Sequence, residues 1–218
     1  MVKAVLFDHD GTLVDSEGLH CRHWQTVLSA YDIDLTEEIY KATMAGIPTP
    51  TNAENLLAKH GLRCQPETLV EQKGEATRAF LAVEAFTLMP GAEAAIQRFH
   101  GAGFKVGVVT GAGPSGITAT LKAYDLARFV DVVVTGADVA ESKPAPDCYL
   151  LALERLALSA ADCAAVEDTE HGVQAARSAG IRCAAVPNAY SAHQDFTSAN
   201  AVFESMRQAA DWLADGTA

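Results

Sequence analysis

The stretch LFDHDGTLVDSE, residues 6–17, joins the end of an apolar run to two closely spaced aspartates. Residues 2–7 are largely apolar, which is typical of a strand that is buried on both faces of a parallel sheet. Asp8 and Asp10 then follow the end of this strand. Because burying one carboxylate is costly and burying two together is worse, the pattern indicates a site that uses their charge.

Similar apolar runs recur later in the chain, at 104–109, 130–135, 163–166 and 182–186. Apolar residues three and four positions apart predict helices near them, at Ala92 to Phe99, Ile117 to Tyr124, Tyr149 to Leu156 and Val173 to Ala179. Strands that alternate with helices predict an α/β fold, in which a parallel sheet is covered by helices on both faces.

Residues 16–86 have a different pattern, because no strand-like run interrupts their helical periodicity. The first helix carries a stripe formed by Leu19, His20, His23, Trp24, Val27 and Leu28. We therefore expect two domains: a core of residues 1–15 and 87–218, and an all-helical insert of residues 16–86 between the first two strands.

Composition excludes some classes of partner. The 218 residues are 49% hydrophobic and 20% charged, with a formal net charge of −12. Without clustered cations, we expect no nucleic-acid binding. There is no apolar run of about 20 residues, so we expect no membrane span and no signal peptide. The five cysteines form no CxxC pair, which favours a reducing, cytoplasmic location.

The ends of parallel strands form the usual ligand site of an α/β sheet. The segments that follow four of the predicted strands carry carboxylates, a hydroxyl with small residues, and a lysine. These candidates are Asp8, Asp10, Thr110, Gly111, Ala112, Lys143, Glu167 and Asp168. Because each of these segments follows a strand of the predicted parallel sheet, we expect them to form one shared site.

The two aspartates suit phosphoryl transfer. An ionised Asp8 attacks phosphorus without a base and forms an acyl phosphate, which water then hydrolyses. Asp10 protonates the leaving alcohol and later accepts a proton from the attacking water. Gly11 allows close approach of a backbone N–H to the phosphate.

Two like unit charges at about 4 Å repel each other by about 4 kcal/mol when the effective dielectric constant is about 20. A carboxylate that approaches a phosphate dianion is therefore repelled by about 8 kcal/mol. Lys143 supplies one compensating cation. Asp8, Asp168 and Glu167 provide oxygen ligands for Mg²⁺. Thr110 and the amides of Gly111 and Ala112 are expected to hold the other phosphoryl oxygens.

These motifs resemble those of the haloacid dehalogenase-like superfamily. DHDGT is similar to its first motif, Thr110 to the second, SKPAPD with Lys143 to the third, and EDTEHG to the fourth. The resemblance implies a Rossmann-like core, a four-helix cap, Mg²⁺ dependence and an aspartyl-phosphate at Asp8. It also implies that Asp10 binds the metal through its backbone carbonyl.

The segment LVDSEGLHCRHW resembles the branch that contains β-phosphoglucomutase and phosphoglycolate phosphatase. In that branch His20 is expected at the site entrance, where it contacts substrate. Two departures are clear. Gly111 replaces the usual asparagine or serine, and Thr49 stands where mutases carry an arginine for a second phosphate. Lys73 is expected to be a solvated helix residue.

We therefore expect a monomeric, Mg²⁺-dependent phosphatase that acts on a small phosphate ester such as a sugar phosphate or phosphoglycolate. A phosphomutase with the same fold is the main alternative, and Thr49 weakens it. A regulator that binds a phosphometabolite without catalysis is a third reading, and it does not account for the pairing of Asp8 with Asp10.

Overall fold

The structure is a computed structural model that describes residues 2–215. Its strands are β1 (Ala4–Phe7), β2 (Val14–Asp15), β3 (Thr87–Leu88), β4 (Lys105–Val109), β5 (Val132–Val134), β6 (Cys163–Glu167), β7 (Arg182–Ala185) and β8 (Ala201–Val202). Its α-helices are α1 (Glu17–Ser29), α2 (Glu37–Thr43), α3 (Thr49–His60), α4 (Pro66–Leu81), α5 (Ala92–Gly101), α6 (Pro114–Ala123), α7 (Asp147–Leu156), α8 (Glu170–Ser178) and α9 (Met206–Ala214).

Six strands form a parallel sheet in the order β5-β4-β1-β6-β7-β8. Phe7 at the end of β1 lies opposite Val108 of β4 and Val166 of β6. The carboxyl ends of these three strands therefore meet at one edge of the sheet. This arrangement confirms the predicted α/β fold with a parallel sheet.

Helices cover both faces of the sheet. Ile96 of α5, Ile117 of α6 and Leu213 of α9 are buried against one face. Tyr149 of α7 and Val173 of α8 are buried against the other. Burial on both faces explains why the central strands are apolar at successive positions rather than at alternate ones.

Four helices, α1 to α4, separate β2 from β3 and form an inserted helical cap. Their apolar side chains make a separate cluster around Trp24, Leu28, Leu56 and Leu69. The chain leaves and re-enters the core at adjacent points, because β2 and β3 pair antiparallel with Asp15 opposite Thr87. The division into two domains stays a prediction, and residues 15 and 87, which border the predicted insert, pair in this short ladder.

Three short strands, β2, β3 and β8, were not expected from the sequence. Each has two residues, which is too short to show an alternating pattern. Helix α6 begins three residues before the predicted start, at Pro114, because proline is well suited to a first helical position. Within residues 2–215, no helix is long and apolar enough to cross a membrane.

Candidate active site

The predicted site residues converge where the cap faces the carboxyl ends of the strands. A cavity of about 740 Å³ lies there. Its lining includes nearly all of the predicted residues, namely Asp8, Asp10, His20, Thr110, Gly111, Ala112, Lys143 and Asp168. Glu167 is fully buried and lies behind this surface, where it contacts Lys143. One site therefore collects residues from four strand ends and one cap helix.

Lys143 binds two buried carboxylates at the floor of the cavity. Its Nζ donates to Oδ1 of Asp8 at 2.5 Å and to Oε1 of Glu167 at 2.7 Å. The hydroxyl of Tyr149 also donates to Oε1 of Glu167, at 2.6 Å. Burial opposes the charge on Lys143, but the two carboxylates outweigh it and raise the lysine pKa. The lysine is therefore a fixed cation beside Asp8.

Asp168 is held by the loop after β1 and by the segment after β7. Oδ1 of Asp168 accepts from the hydroxyl of Thr12 at 3.0 Å, and Oδ2 accepts from Nδ2 of Asn188 at 2.7 Å. Gly11 has a positive φ of 85°, and a Cβ atom there would collide with the Asp168 carboxylate. Glycine is thus required for the close packing of these two strand ends.

The carboxylates of Asp8, Glu167 and Asp168 form an acidic cluster with oxygens within 4.8 Å of one another. Burial raises the pKa of Asp8 and Asp168, and it raises the pKa of Glu167 to about 7. One lysine offsets only part of this charge. Oε2 of Glu167 also has no hydrogen-bond partner within residues 2–215. A divalent cation with oxygen ligands fits this excess of buried acceptors.

Asp10 is held on both sides by hydrogen bonds. Its Oδ1 accepts from the hydroxyl of Ser16 at 2.8 Å and lies 3.2 Å from Nε2 of His20. Its Oδ2 lies 3.2 Å from Nδ1 of His9 and accepts a weaker bond from Thr110 at 3.4 Å. Burial would raise the Asp10 pKa, but His9 and His20 together hold it well below the usual range.

The segment after β4 presents the small residues expected around a phosphate. Oγ1 of Thr110 accepts from the amide of Ala112 at 3.0 Å, so this amide already has a hydrogen-bond partner. Gly111 leaves room for the Ser142 hydroxyl, which would lie 2.9 Å from a Cβ atom at position 111. The Ser142 hydroxyl thus lies next to the space that a side chain at position 111 would occupy.

The expectation that Lys73 is solvated was wrong. Lys73 of α4 is only 9% exposed, and its Nζ lies 3.2 Å from Nδ1 of His20. Because the ammonium group only donates, the proton of a neutral His20 is on Nε2, which faces Asp10. The packing of α1 against α4 buries Lys73, and the sequence of α4 alone does not show this contact.

The family follows from comparison with known proteins. Residues 2–180 match the model of the haloacid dehalogenase-like hydrolases. The chain belongs to this family. It is an enzyme, a phosphoric monoester hydrolase.

Relatives of this haloacid dehalogenase-like hydrolase include protein CbbY of Cereibacter sphaeroides, which is 31% identical over 95% of this chain and 94% of the relative. Fructose-1-phosphate phosphatase YqaB of Escherichia coli (strain K12) is 32% identical over 81% of this chain and 92% of its own length. A crystal structure of a CbbY mutant from Rhodobacter sphaeroides, in complex with xylulose-1,5-bisphosphate, superposes with a TM-score of 0.84. It is 29% identical and covers 94% of this chain and 95% of its own.

Sequence reasoning missed several buried polar residues of this hydrolase. Glu17 of α1 lines the cavity, where burial raises its pKa, and it accepts from the hydroxyl of Tyr40 at 2.6 Å. Asn188, which binds Asp168, lies beyond the four motifs. Tyr149 was assigned only to a helix. The available signal for Glu17 was its position as the last residue of LFDHDGTLVDSE, the stretch that carries Asp8 and Asp10.

Proposed function

We propose that the protein is a Mg²⁺-dependent phosphatase for a small sugar phosphate, and that it acts through an aspartyl-phosphate at Asp8. The observation that carries this proposal is the placement of Asp8 at the floor of the cavity. There it is 2.5 Å from Lys143 and adjacent to the carboxylate of Asp168. A nucleophile with a fixed cation and a cluster of oxygen ligands is suited to attack on phosphorus.

In the first step, a carboxylate oxygen of Asp8 attacks phosphorus and the ester P–O bond breaks. The departing alkoxide takes a proton from Asp10. The two neighbouring histidines hold Asp10 in the ionised form in the free enzyme. The incoming phosphate dianion raises the proton affinity of Asp10, which takes up this proton from solvent as substrate binds. In the second step, water attacks the phosphorus of the aspartyl-phosphate, Asp10 accepts the water proton, and inorganic phosphate leaves.

Asp8, Asp168, Glu167 and the backbone carbonyl of Asp10 are the groups proposed to hold Mg²⁺. When bound, the ion supplies positive charge that offsets the repulsion between carboxylate and phosphate. The positive charge of Lys143, which binds Asp8, also offsets this repulsion. Thr110 and the amides of Gly111 and Ala112 hold the phosphoryl oxygens.

The cap supplies the groups proposed to recognise the sugar. Glu17, His20, Lys73 and Thr77 line the cavity opposite the strand ends. Carboxylate and hydroxyl groups match the hydroxyls of a sugar, and a closed cap excludes bulk water during transfer. The names of the relatives, a fructose-1-phosphate phosphatase and a protein with xylulose-1,5-bisphosphate bound, support sugar phosphates as the substrate class.

A phosphomutase is less well supported by the cap. Thr49 lines the cavity but carries no charge. Within residues 2–215, the cap lysine or arginine side chains that line the cavity are Lys73, which binds His20, and Arg78, which binds Glu71. Each of these cations is already shared with a partner on the cap, and neither stands at position 49.

The test is a panel of sugar phosphates, phosphoglycolate and p-nitrophenyl phosphate, assayed for phosphate release with and without Mg²⁺. We expect release that depends on Mg²⁺ and no isomerised sugar phosphate. Asp8→Asn should abolish release, whereas Asp211→Asn, a matched change at an exposed carboxylate on α9, should not. Retained turnover in purified Asp8→Asn, or isomer formation without phosphate release, would overturn the proposal.

A further inference from the structure

His9 lies between the two catalytic aspartates but does not line the cavity. Its side chain is 1% exposed and points into the core. The ring packs against Phe86, with centroids 6.2 Å apart, and against Gly116 of α6, where a Cβ atom would lie 3.3 Å from Cε1. The ring is therefore closely surrounded, and both of its nitrogens have polar partners.

The partners of His9 determine its tautomer. Nδ1 lies 3.2 Å from Oδ2 of Asp10, and Nε2 lies 3.0 Å from Oγ1 of Thr120. An ionised carboxylate only accepts hydrogen bonds, so Nδ1 of a neutral ring carries the proton. Nε2 then accepts from the Thr120 hydroxyl. The resulting chain of donors runs from Thr120 through His9 to Asp10.

The two oxygens of Asp10 have partners in different parts of the molecule. Oδ1 is bound by Ser16 and His20, at the start of the cap. Oδ2 is bound by His9 and, more weakly, by Thr110, both in the core. If the cap moves during turnover, only the core partners remain in place. Of the two core hydrogen bonds to Oδ2, the one from His9 is shorter than the one from Thr110.

We propose that His9, held in place by its hydrogen bond to Thr120, is a positioning residue that holds the Asp10 carboxyl for proton transfer. The inference rests on the proposed phosphatase function. Thr120, His9 and Asp10 resemble a hydroxyl–imidazole–carboxylate triad, but Thr120 is 1% exposed and does not line the cavity. The hydroxyl orients the imidazole and has no access to substrate.

The test compares His9→Leu, His9→Asn and Thr120→Val. Leucine removes both hydrogen bonds, asparagine keeps an N–H donor near the position of Nδ1, and valine removes the Thr120 hydroxyl at constant volume. Each variant is assayed with p-nitrophenyl phosphate and with the sugar phosphate of the panel that the enzyme hydrolyses fastest. The nitrophenolate leaving group needs no proton, whereas a sugar alkoxide does.

For His9→Leu, we expect kcat on the sugar phosphate to fall about 10- to 100-fold with KM nearly unchanged, because general acid–base catalysis contributes about 10²–10⁴ in rate. Rapid mixing with p-nitrophenyl phosphate should still give a burst of one nitrophenolate per site, followed by slow turnover. His9→Asn should restore most of the lost kcat, and Thr120→Val should give an intermediate loss.

A wild-type kcat in His9→Leu would overturn the inference, and so would an equal loss on both substrates without a burst. If His9→Leu does not fold, Thr120→Val decides the question by the same two readouts. Failure of the phosphatase proposal looks different, because Asp8→Asn would then keep its activity whatever stands at position 9.

Discussion

The core and the cap contribute to the site in different ways. Core groups stand at the ends of paired strands and bind one another, as Lys143 binds Asp8 and Glu167. Cap groups stand on helices and approach the core through single contacts, as Lys73 reaches Asp10 only through His20. On the proposed function, the sheet positions the reacting groups and the cap helices select the substrate. Loss of Lys143, the fixed cation of the core, should affect all substrates equally, whereas changes in the cap should not.

The largest expected effect comes from Lys143→Met. The substitution leaves Asp8 and Glu167 buried without their cation, and removing one partner of a buried ion pair costs about 3–5 kcal/mol. We expect phosphate release to fall at least about 10³-fold on every substrate of the panel, since the fixed charge beside the nucleophile is lost. Activity assays and urea unfolding measure the two effects. A variant selective for one substrate would contradict the division between core and cap.

Asn188→Ala tests the support of the predicted metal site. Loss of its hydrogen bonds to Asp168 and to the Gly11 carbonyl should weaken Mg²⁺ activation about 10- to 100-fold, as loss of such supporting contacts typically does. The turnover at saturating Mg²⁺ should change little. A titration of activity against Mg²⁺ gives both values. The control is Asn200→Ala, at an exposed residue that accepts from Arg177 and the Cys183 amide and does not line the cavity. An unchanged Mg²⁺ midpoint would argue against Asp168 as a ligand.

Lys73→Met removes the cap cation but keeps its apolar stem. We expect kcat/KM on the sugar phosphate to fall about 10-fold, because a charged hydrogen bond is worth about 1.5–3 kcal/mol and part of it is recovered from water. The value for p-nitrophenyl phosphate should change less, since its ring has no hydroxyls to recognise. Lys59→Met, on the exposed side of α3, serves as the control. Equal losses on both substrates would contradict a role of Lys73 in substrate selection and would indicate a role in the reaction itself.

The smallest effect on turnover is expected at His23 of α1, which does not line the cavity. Burial, with His20 and Lys73 nearby, lowers its pKa from 6.5 to about 4. Since the unfolded chain binds this proton more tightly, stability contributed by neutral His23 is complete above about pH 6.5 and is lost as pH falls towards 4. His23 therefore contributes a loss of about 1–2 kcal/mol between pH 7.5 and pH 5, opposite in sign to the contribution of Glu167, whose pKa is raised. Urea unfolding at the two pH values measures the His23 contribution as the difference between the wild type and a His23 variant.

His23→Gln should reduce this loss, because glutamine does not titrate and keeps a donor towards Oγ1 of Thr77. His60→Gln, at an exposed residue of α3, should leave the loss unchanged. If the two variants behave alike, the acid sensitivity arises elsewhere in the chain.

The sequence predicts the core better than the cap for a physical reason. Strands such as β1 and β6 are buried on both faces, so their apolar runs and the charged residues that follow are visible without a structure. Parallel pairing then brings Asp8 and Asp168 together. The burial of Lys73 depends on how α1 meets α4, and helical periodicity does not specify that contact.

His9 shows a second limit of sequence reasoning. A residue between two aspartates in extended backbone is expected to face away from them, so the sequence gives no reason to place His9 in the site. The ring does leave the cavity, but the turn that follows lets Asp10 reach back to its Nδ1. Thr120, its other partner, is 111 positions away in the chain, so the pair becomes evident only in three dimensions.

The central claim is that Asp8 accepts the phosphoryl group. The direct measurement is rapid acid quench of the enzyme during turnover of p-nitrophenyl phosphate with Mg²⁺, followed by borohydride reduction and peptide mass spectrometry. An aspartyl-phosphate is reduced to homoserine, which should appear at position 8 and be absent from enzyme quenched without substrate. Homoserine at another aspartate, or full turnover with none at position 8, would contradict the account.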